Sequence, residues 1–517
     1  MSPRSSVVLD DLTFTWPDGA TVLDGVVGSF SSSRTGLTGA NGAGKSTLLR
    51  LIAGILTPTR GRVVVSGVVD HLPQHAVRSS GTVADLLGIS PVRAALREVE
   101  AGSTEPAAFT TIGDDWDVEE RAAAELAALG LPTDLDRPVV TLSGGEAMLA
   151  AITGVRLRRA DITLLDEPTN NLDSASRERL YDVVRSWRGT LIVVSHDLDL
   201  LDLLDETAEL RSGSLTTFGG NHSAYLDWVA GRQAAAQQSL RTAEQRLRRE
   251  KRERVRMEQR ISHSEQKGRK DRENRRYLPA VVNDRRNAAE KSQGARRGDA
   301  AARVDAARAA VDAAAALVRD DDTVRVDLPD PGLARGRRVA ELPSADGRAV
   351  VLRGPERIGL VGANGVGKTT LLHSVLPQVP VRAALLPQRI VLDDDRTVLE
   401  TVRAAAPHVP PSELRNRLAR LLVRGAVVDR RVSTLSGGER FRVALARLVL
   451  ADPPPELLVL DEPTNDLDLS SVDELVEALV AYRGALLVVS HDHRFLDRLQ
   501  LDAVLRLDAS GTLGTER

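Results

Sequence analysis

The chain has no cysteine among its 517 residues. That excludes disulfides, thiolate zinc sites, cysteine-ligated iron–sulfur clusters and cysteine nucleophiles. It fits a reducing compartment. Aromatics make up only 3% of the chain, so a hydrophobic content of 42% must build its cores mostly from Ala, Val and Leu. No apolar run reaches about 18 residues, so no membrane-crossing helix is expected. The N-terminal stretch MSPRSSVVLDDL lacks the apolar segment of a signal peptide, and a cytoplasmic location is expected. Lysine is scarce as well: six of the 69 basic residues. At roughly 100–200 residues per domain, the length allows two to four domains.

An internal repeat is present. GANGAGKST (39–47) recurs as GANGVGKTT (362–370), and LSGGE recurs at 142–146 and 435–439. LLDEPTNNLD (164–173) recurs as VLDEPTNDLD (459–468), and VVSHD recurs at 193–197 and 488–492. Asp166 to His196 spans 30 residues, as does Asp461 to His491. Lys45 to Ser143 spans 98 residues but Lys368 to Ser436 only 68. The first copy therefore carries extra residues before its LSGGE, partly in the Ala- and Glu-rich stretch 91–121.

Charge separates the repeats from what joins them. Residues 232–300 hold 21 Lys+Arg and 10 Asp+Glu, a net of +11, which leaves −14 on the other 448 residues. Ala236, Leu240, Ala243 and Leu247 recur at 4-3-4 spacing, a register that resumes at Met257 and Ile261 after charged Glu250 and Arg254. Val304, Ala307, Val311, Ala314 and Val318 recur at 3-4-3-4. Such spacing predicts two antiparallel helices joined along an apolar seam. The first arm, about 30 residues, would be about 45 Å long. Pro279 and Gly294 interrupt the pattern and place the tip near 262–297. Around Tyr277 this tip gathers Lys267, Arg269, Lys270, Arg272, Arg275, Arg276, Arg285 and Arg286. A solvated spacer is the plain alternative, since charge runs are usually solvated faces.

The repeated motifs carry chemistry. GxxxxGK[ST], between a strand and a helix, is a phosphate-binding loop. Its glycines let backbone N–H groups approach phosphate, and the helix N-terminus favours the anion. The candidate nucleotide contacts are Gly39, Asn41, Gly42, Gly44, Lys45, Ser46 and Thr47, then Gly362, Asn364, Gly365, Gly367, Lys368, Thr369 and Thr370. Ser46 and Thr369 offer hydroxyls to Mg²⁺. Asp166 and Asp461 end apolar strands and are expected to organise Mg²⁺. Glu167 and Glu462, one residue on, are candidate general bases toward the attacking water. His196 and His491 are expected to sense the γ-phosphate. Gln74 and Gln388, each in LPQ, are expected at the Mg²⁺ and the water.

LSGGE resembles the signature loop of ATP-binding cassettes, and the chain is similar throughout, apart from the connector tip, to a tandem cassette protein. The tandem arrangement with a charged helical hairpin, entered through TFGGNHSAYL (217–226), resembles the ABC-F family. The resemblance implies an α/β fold: two P-loop ABC ATPase domains, 1–230 and 321–517, joined by an antiparallel α-helical hairpin linker, 231–320. It implies ATP hydrolysis with Mg²⁺ at two composite sites. One joins Lys45, Glu167 and His196 to Ser436, Gly437 and Gly438; the other joins Lys368, Glu462 and His491 to Ser143, Gly144 and Gly145. It implies a monomer whose cassettes pair head to tail and whose hairpin meets the rRNA or tRNA of a ribosome, in translation or in antibiotic resistance. RNA attraction is dominated by phosphate, so a basic connector suits that partner better than acidic cassettes do. The alternatives are an ATPase subunit that docks on separate membrane subunits, and a repair-type protein that uses the hairpin on DNA.

The copies differ in ways that predict unequal sites. Asn171 and Asp466 stand where the family often has His. The second signature continues as ERFRVALAR, whereas the first continues as EAMLAAITG and lacks counterparts of Arg440, Arg442 and Arg447. By the resemblance, Trp16 in FTWPDG is expected to be the aromatic that stacks on adenine in the first cassette. No aromatic lies between Tyr277 and Phe441, so the second cassette has no such stack. Two of the six lysines, Lys45 and Lys368, fall in phosphate loops and the other four in the connector.

Overall fold

The computed structural model describes residues 5–31, 33–74, 81–170, 172–211, 213–273, 279–318, 328–421, 423–465 and 467–516. Two compact units result, one comprising Met1–His222 with Thr323–Arg517 and the other Ser223–Asp322.

The first unit holds the two repeats, each built on a six-stranded sheet. In the first, Val69–Leu72, Ile162–Asp166, Thr190–Val194, Arg34–Thr38 and Glu206–Arg211 run parallel in that order, and Ser214–Phe218 closes the edge antiparallel. In the second, Ala383–Leu386, Leu457–Asp461, Ala485–Val489, Arg357–Val361 and Ala503–Leu507 repeat the order, with Leu513–Glu516 antiparallel. Continuous apolar runs such as ITLLD and ALLVV are buried throughout, as expected of parallel strands covered on both faces. The motif loops leave the C-terminal ends of these strands, where ligands bind in open α/β sheets. Asp166 lies beside Val194 and Asp461 beside Val489, at the last rung of each ladder.

The repeats differ at their margins. The first adds an antiparallel sheet in which Ser6–Thr15 lies between Thr21–Phe30 and Arg60–Ser66. The second keeps Arg338–Pro343 paired with Ala349–Arg353. The extra residues of the first repeat form the helices Ser90–Glu100 and Pro106–Ile112, ahead of Val118–Ala128. Ala95, Ala108 and Ile112 give them a small core of their own. In the corresponding stretch the second repeat has Pro411–Arg420.

The second unit is dominated by two helices, His222–Glu273 of 52 residues and Pro279–Ala315 of 37. Burial follows the expected seam. Ala236, Leu240, Ala243, Leu247 and Met257 are less exposed than most of their neighbours, and Ile261, Val304, Ala307 and Ala314 are buried. Both helices are longer than the interrupted pattern suggests. Gly294 lies inside the second helix, where glycine costs about 1 kcal/mol against alanine, a penalty that an Ala-rich helix tolerates. Pro279 is its first residue, where a missing N–H is harmless. The basic tip cluster from Lys267 to Arg286 lies outside the residues whose side chains are described.

Candidate nucleotide sites

Each phosphate loop opens a helix through a glycine in left-handed conformation. Gly44 (φ 98°) precedes Lys45–Ile52, and Gly367 (φ 101°) precedes Lys368–Val375. Gly39 and Gly362 are required for a second reason: a Cβ on either would strike a backbone carbonyl, of Leu210 or Leu507. The loop lysines curl back over their own loops. Lys45 Nζ donates to the Gly39 and Ala40 carbonyls at 2.6 and 3.2 Å. Lys368 Nζ donates to Gly362 and Ala363 at 2.7 and 3.1 Å. Burial lowers both ammonium pKa values, against the pull of neighbouring carboxylates.

Hydroxyl and carboxylate pairs lie beside the lysines. Ser46 Oγ donates to Asp166 at 3.1 Å, and Thr369 Oγ1 donates to Asp461 at 2.7 Å. Burial raises the Asp166 pKa, although the Ser46 bond opposes it. The next residues adopt an uncommon backbone: Glu167 has φ 51° and Glu462 φ 47°. Non-glycine residues rarely hold that conformation, and it costs of order 1–3 kcal/mol. Each carboxylate lies beside a histidine, and Lys368 Nζ stands 2.9 Å from the second histidine's Nε2. His196 Nε2 stands 3.2 Å from Glu167 Oε1, and His491 Nε2 stands 3.1 Å from Glu462 Oε1. Burial and the adjacent lysines push the histidines down, His196 to about 3 and His491 to about 4, so both rings are neutral. Burial pushes Glu462 up to about 6, with Lys368 opposing.

These groups surround two cavities of about 340 Å³ each. The first brings together Trp16, Asn41, Gly42, Gly44, Lys45, Ser46, Thr47, Gln74, Glu167 and His196. The second brings together Asn364, Gly365, Gly367, Lys368, Thr369, Thr370, Gln388, Asp461, Glu462 and His491. Trp16, edge-on to Phe14 with centroids 4.9 Å apart, lines the first, and among the described residues no aromatic lines the second. The Ser and Asp oxygens with Gln74, and the Thr and Asp oxygens with Gln388, form the hard donor sets that suit Mg²⁺.

The signature serines line neither cavity. Ser143 and Ser436 are N-caps, and each forms a capping box with the glutamate three residues on. Gly144 and Gly437 begin the capped helices, followed by Gly145 and Gly438. The first of these helices is buried from Ala147 to Val155, so the AMLAAITG run that follows Glu146 is core. In the second, Arg440 pairs with Asp394 at 2.6 Å and Arg442 with Glu474 at 2.6 Å.

Motif reading did not assign the aspartates that end NLD and DLD. Asp468 accepts from the Asn41 backbone amide at 2.6 Å, across from one repeat to the other. Asp173 answers toward the Asn364 amide. Each also caps its own helix through a serine amide, Ser176 or Ser471. Burial works to raise the Asp173 pKa, but the Ser176 and Asn364 bonds outweigh it. Leu172 and Arg177 of the first repeat line the second cavity. Arg177 leaves a trace in the sequence, as LDSASR in one copy against LDLSSV in the other.

Comparisons with known proteins agree with this geometry. The ABC transporter family model matches residues 29–170 and 349–465. The tylosin resistance ATP-binding protein TlrC of Streptomyces fradiae is 32% identical, over 96% of each chain. The energy-dependent translational throttle protein EttA of Mycobacterium tuberculosis is 29% identical, over 95% of this chain and 87% of that one. A solved structure of RNase-L Inhibitor superposes with a TM-score of 0.55 at 20% identity, covering 96% of this chain and 87% of that chain, a likeness of fold. No helix among the described residues is long and apolar enough to cross a membrane. Two phosphate loops, two buried Glu–His pairs and these relatives place the chain in the ATP-binding cassette family, as a tandem ATPase of the ABC-F type.

Proposed function

We propose that this ATPase acts on the ribosome in the cytoplasm, with ATP driving the cassettes and the basic hairpin meeting rRNA or tRNA. The observation that carries the reading is the division of charge: +11 over residues 232–300 and −14 over the rest. Phosphate attracts the connector and repels the cassettes, so an RNA particle selects the hairpin as its contact. Relatives named for translational throttling and for tylosin resistance support this choice.

At each site Lys45 or Lys368 leaves its own loop carbonyls for the β- and γ-phosphates. Glu167 or Glu462 takes the proton of the attacking water, a contribution typically worth about 10²–10⁴-fold. The neutral His196 or His491 donates a ring N–H to the γ-phosphate. Mg²⁺, held by Ser46, Asp166 and Gln74 or by Thr369, Asp461 and Gln388, would neutralise developing phosphate charge. Trp16 holds adenine in the first site alone. Closure on ATP brings Ser436, Gly437 and Gly438 to the first cavity and Ser143, Gly144 and Gly145 to the second, and hydrolysis releases them.

Trapping tests the reading. The Glu167→Gln, Glu462→Gln double variant, loaded with ATP in cell extract, is expected to sediment with 70S particles. Recovery with membranes would favour a transporter subunit. DNase-sensitive association would favour a repair protein.

A further inference from the structure

Arg177 belongs to the first repeat but lines the second repeat's cavity, beside Lys368, Glu462 and His491. It also lines a smaller neighbouring cavity with Tyr181, Asp197 and Asp492. Its side chain is 19% exposed, and its Nε is buried without a hydrogen-bond partner. The nearest carboxylate is Asp197, at 3.8 Å from Nη1. That carboxylate is already engaged: it accepts from Tyr181 Oη at 2.7 Å and from the Asp199 and Leu200 amides at 3.0 and 3.1 Å. Arg177 is therefore a permanent cation held loosely on the wall of a phosphate-binding cavity. Its charge reaches the reacting groups, since it helps to hold His491 neutral and to draw Glu462 down against burial. Aligned on the DEPTN motif, the same position of the second repeat is Val472. Among the described residues no arginine lines the first cavity.

We propose that Arg177 completes the second ATP site in trans by bonding the terminal phosphate oxygens, and that Val472 leaves the first site without an equivalent. The reaction is the hydrolysis already assigned to this family: water adds to the γ-phosphorus, the bond to the β-bridging oxygen breaks, and Glu462 takes the proton. Arg177 contributes charge where negative charge gathers on the equatorial oxygens, and its planar fork suits phosphate better than an ammonium does. The consequence is a pair of unlike sites, with the faster chemistry in the second.

The test uses the full chain in two single-site backgrounds, Glu167→Gln to report the second site and Glu462→Gln to report the first. Arg177→Met is expected to lower the second-site kcat about 10²-fold, as loss of one preorganised donor does, with a much smaller change in KM. The fall in the first-site background is expected to be at least tenfold smaller. Arg177→Lys should restore part of the lost rate, and Val472→Arg should raise the first-site kcat. An equal fall in both backgrounds, or none in either, overturns the proposal. If Arg177→Met does not fold, Val472→Arg still decides, because an unchanged first-site kcat overturns it. The double glutamine variant is the control for the general bases: hydrolysis surviving in it contradicts their assignment rather than that of Arg177. None of these rates requires a ribosome, so the result is separable from the proposed partner.

Discussion

Asp468 Oδ2 accepts the backbone N–H of Asn41 at 2.6 Å, while Oδ1 of the same carboxylate caps its own helix through Ser471 N at 2.8 Å. One buried side chain therefore fastens a phosphate loop of the first repeat to a helix start of the second. Loss of a cap costs about 1 kcal/mol, and loss of a charged hydrogen bond about 1.5–3 kcal/mol more. Asp468→Ala is expected to lower the melting temperature and to weaken nucleotide binding at the first site more than at the second. Asp173→Ala is expected to reverse that order. Melting curves and nucleotide titrations in the single-site backgrounds check both.

The Glu462 carboxyl is pushed up to about 6 by burial, and only its ionised form accepts a proton. Second-site kcat is expected to rise with pH through about 6. His491, down near 4, adds no inflection between pH 5 and 8. Stability follows with the opposite sign. A carboxyl whose folded pKa lies above its unfolded value of 4.5 favours the folded state at low pH and loses that contribution as pH rises through about 6. Glu462→Gln removes the cost of the buried anion. It is expected to stabilise the nucleotide-free chain by about 1–2 kcal/mol at pH 8 and by little at pH 4, as read from urea unfolding at each pH.

Trp16 lines the first cavity, and no aromatic among the described residues lines the second. Base–aromatic stacking is worth about 1–3 kcal/mol. Trp16→Ala is expected to raise the first-site ATP dissociation constant about tenfold or more and to leave the second unchanged. Titration of each single-site variant with a fluorescent ATP analogue measures this.

What the residues disclose and what they conceal have physical causes. The phosphate loops, the strand-end carboxylates and the SHD histidines stand out because each needs particular residue types at fixed local spacing, and each occurs twice. Trp16 is legible through the family resemblance of its FTWPDG stretch. The uncommon backbone at Glu167 and Glu462 has no sequence mark, since glutamate ordinarily avoids it. The cross-repeat roles of Asp173, Asp468 and Arg177 depend on how two distant segments meet, which local spacing does not encode. Arg177 shows only as a difference from Val472. The hairpin seam was readable by its period, but its length was not: a charged register position at Glu250 and a glycine at 294 resemble breaks, and long helices tolerate both.

The charge division makes the last prediction quantitative. If the connector meets RNA through phosphates, binding to purified 70S particles weakens as salt rises. The slope of log K against log salt then counts the contacts, at about 0.7–0.9 per phosphate neutralised. Replacing Arg269, Arg272, Arg275 and Arg276 with glutamine is expected to flatten that slope by up to about 3.6. The same change should leave ATP binding by the isolated chain as it was, because every described residue that lines the two cavities belongs to the repeats. Sedimentation of the ATP-trapped double glutamine variant across a series of KCl concentrations gives the slope directly. A slope unmoved by the four substitutions would place the RNA contact elsewhere on the chain and remove the argument from charge.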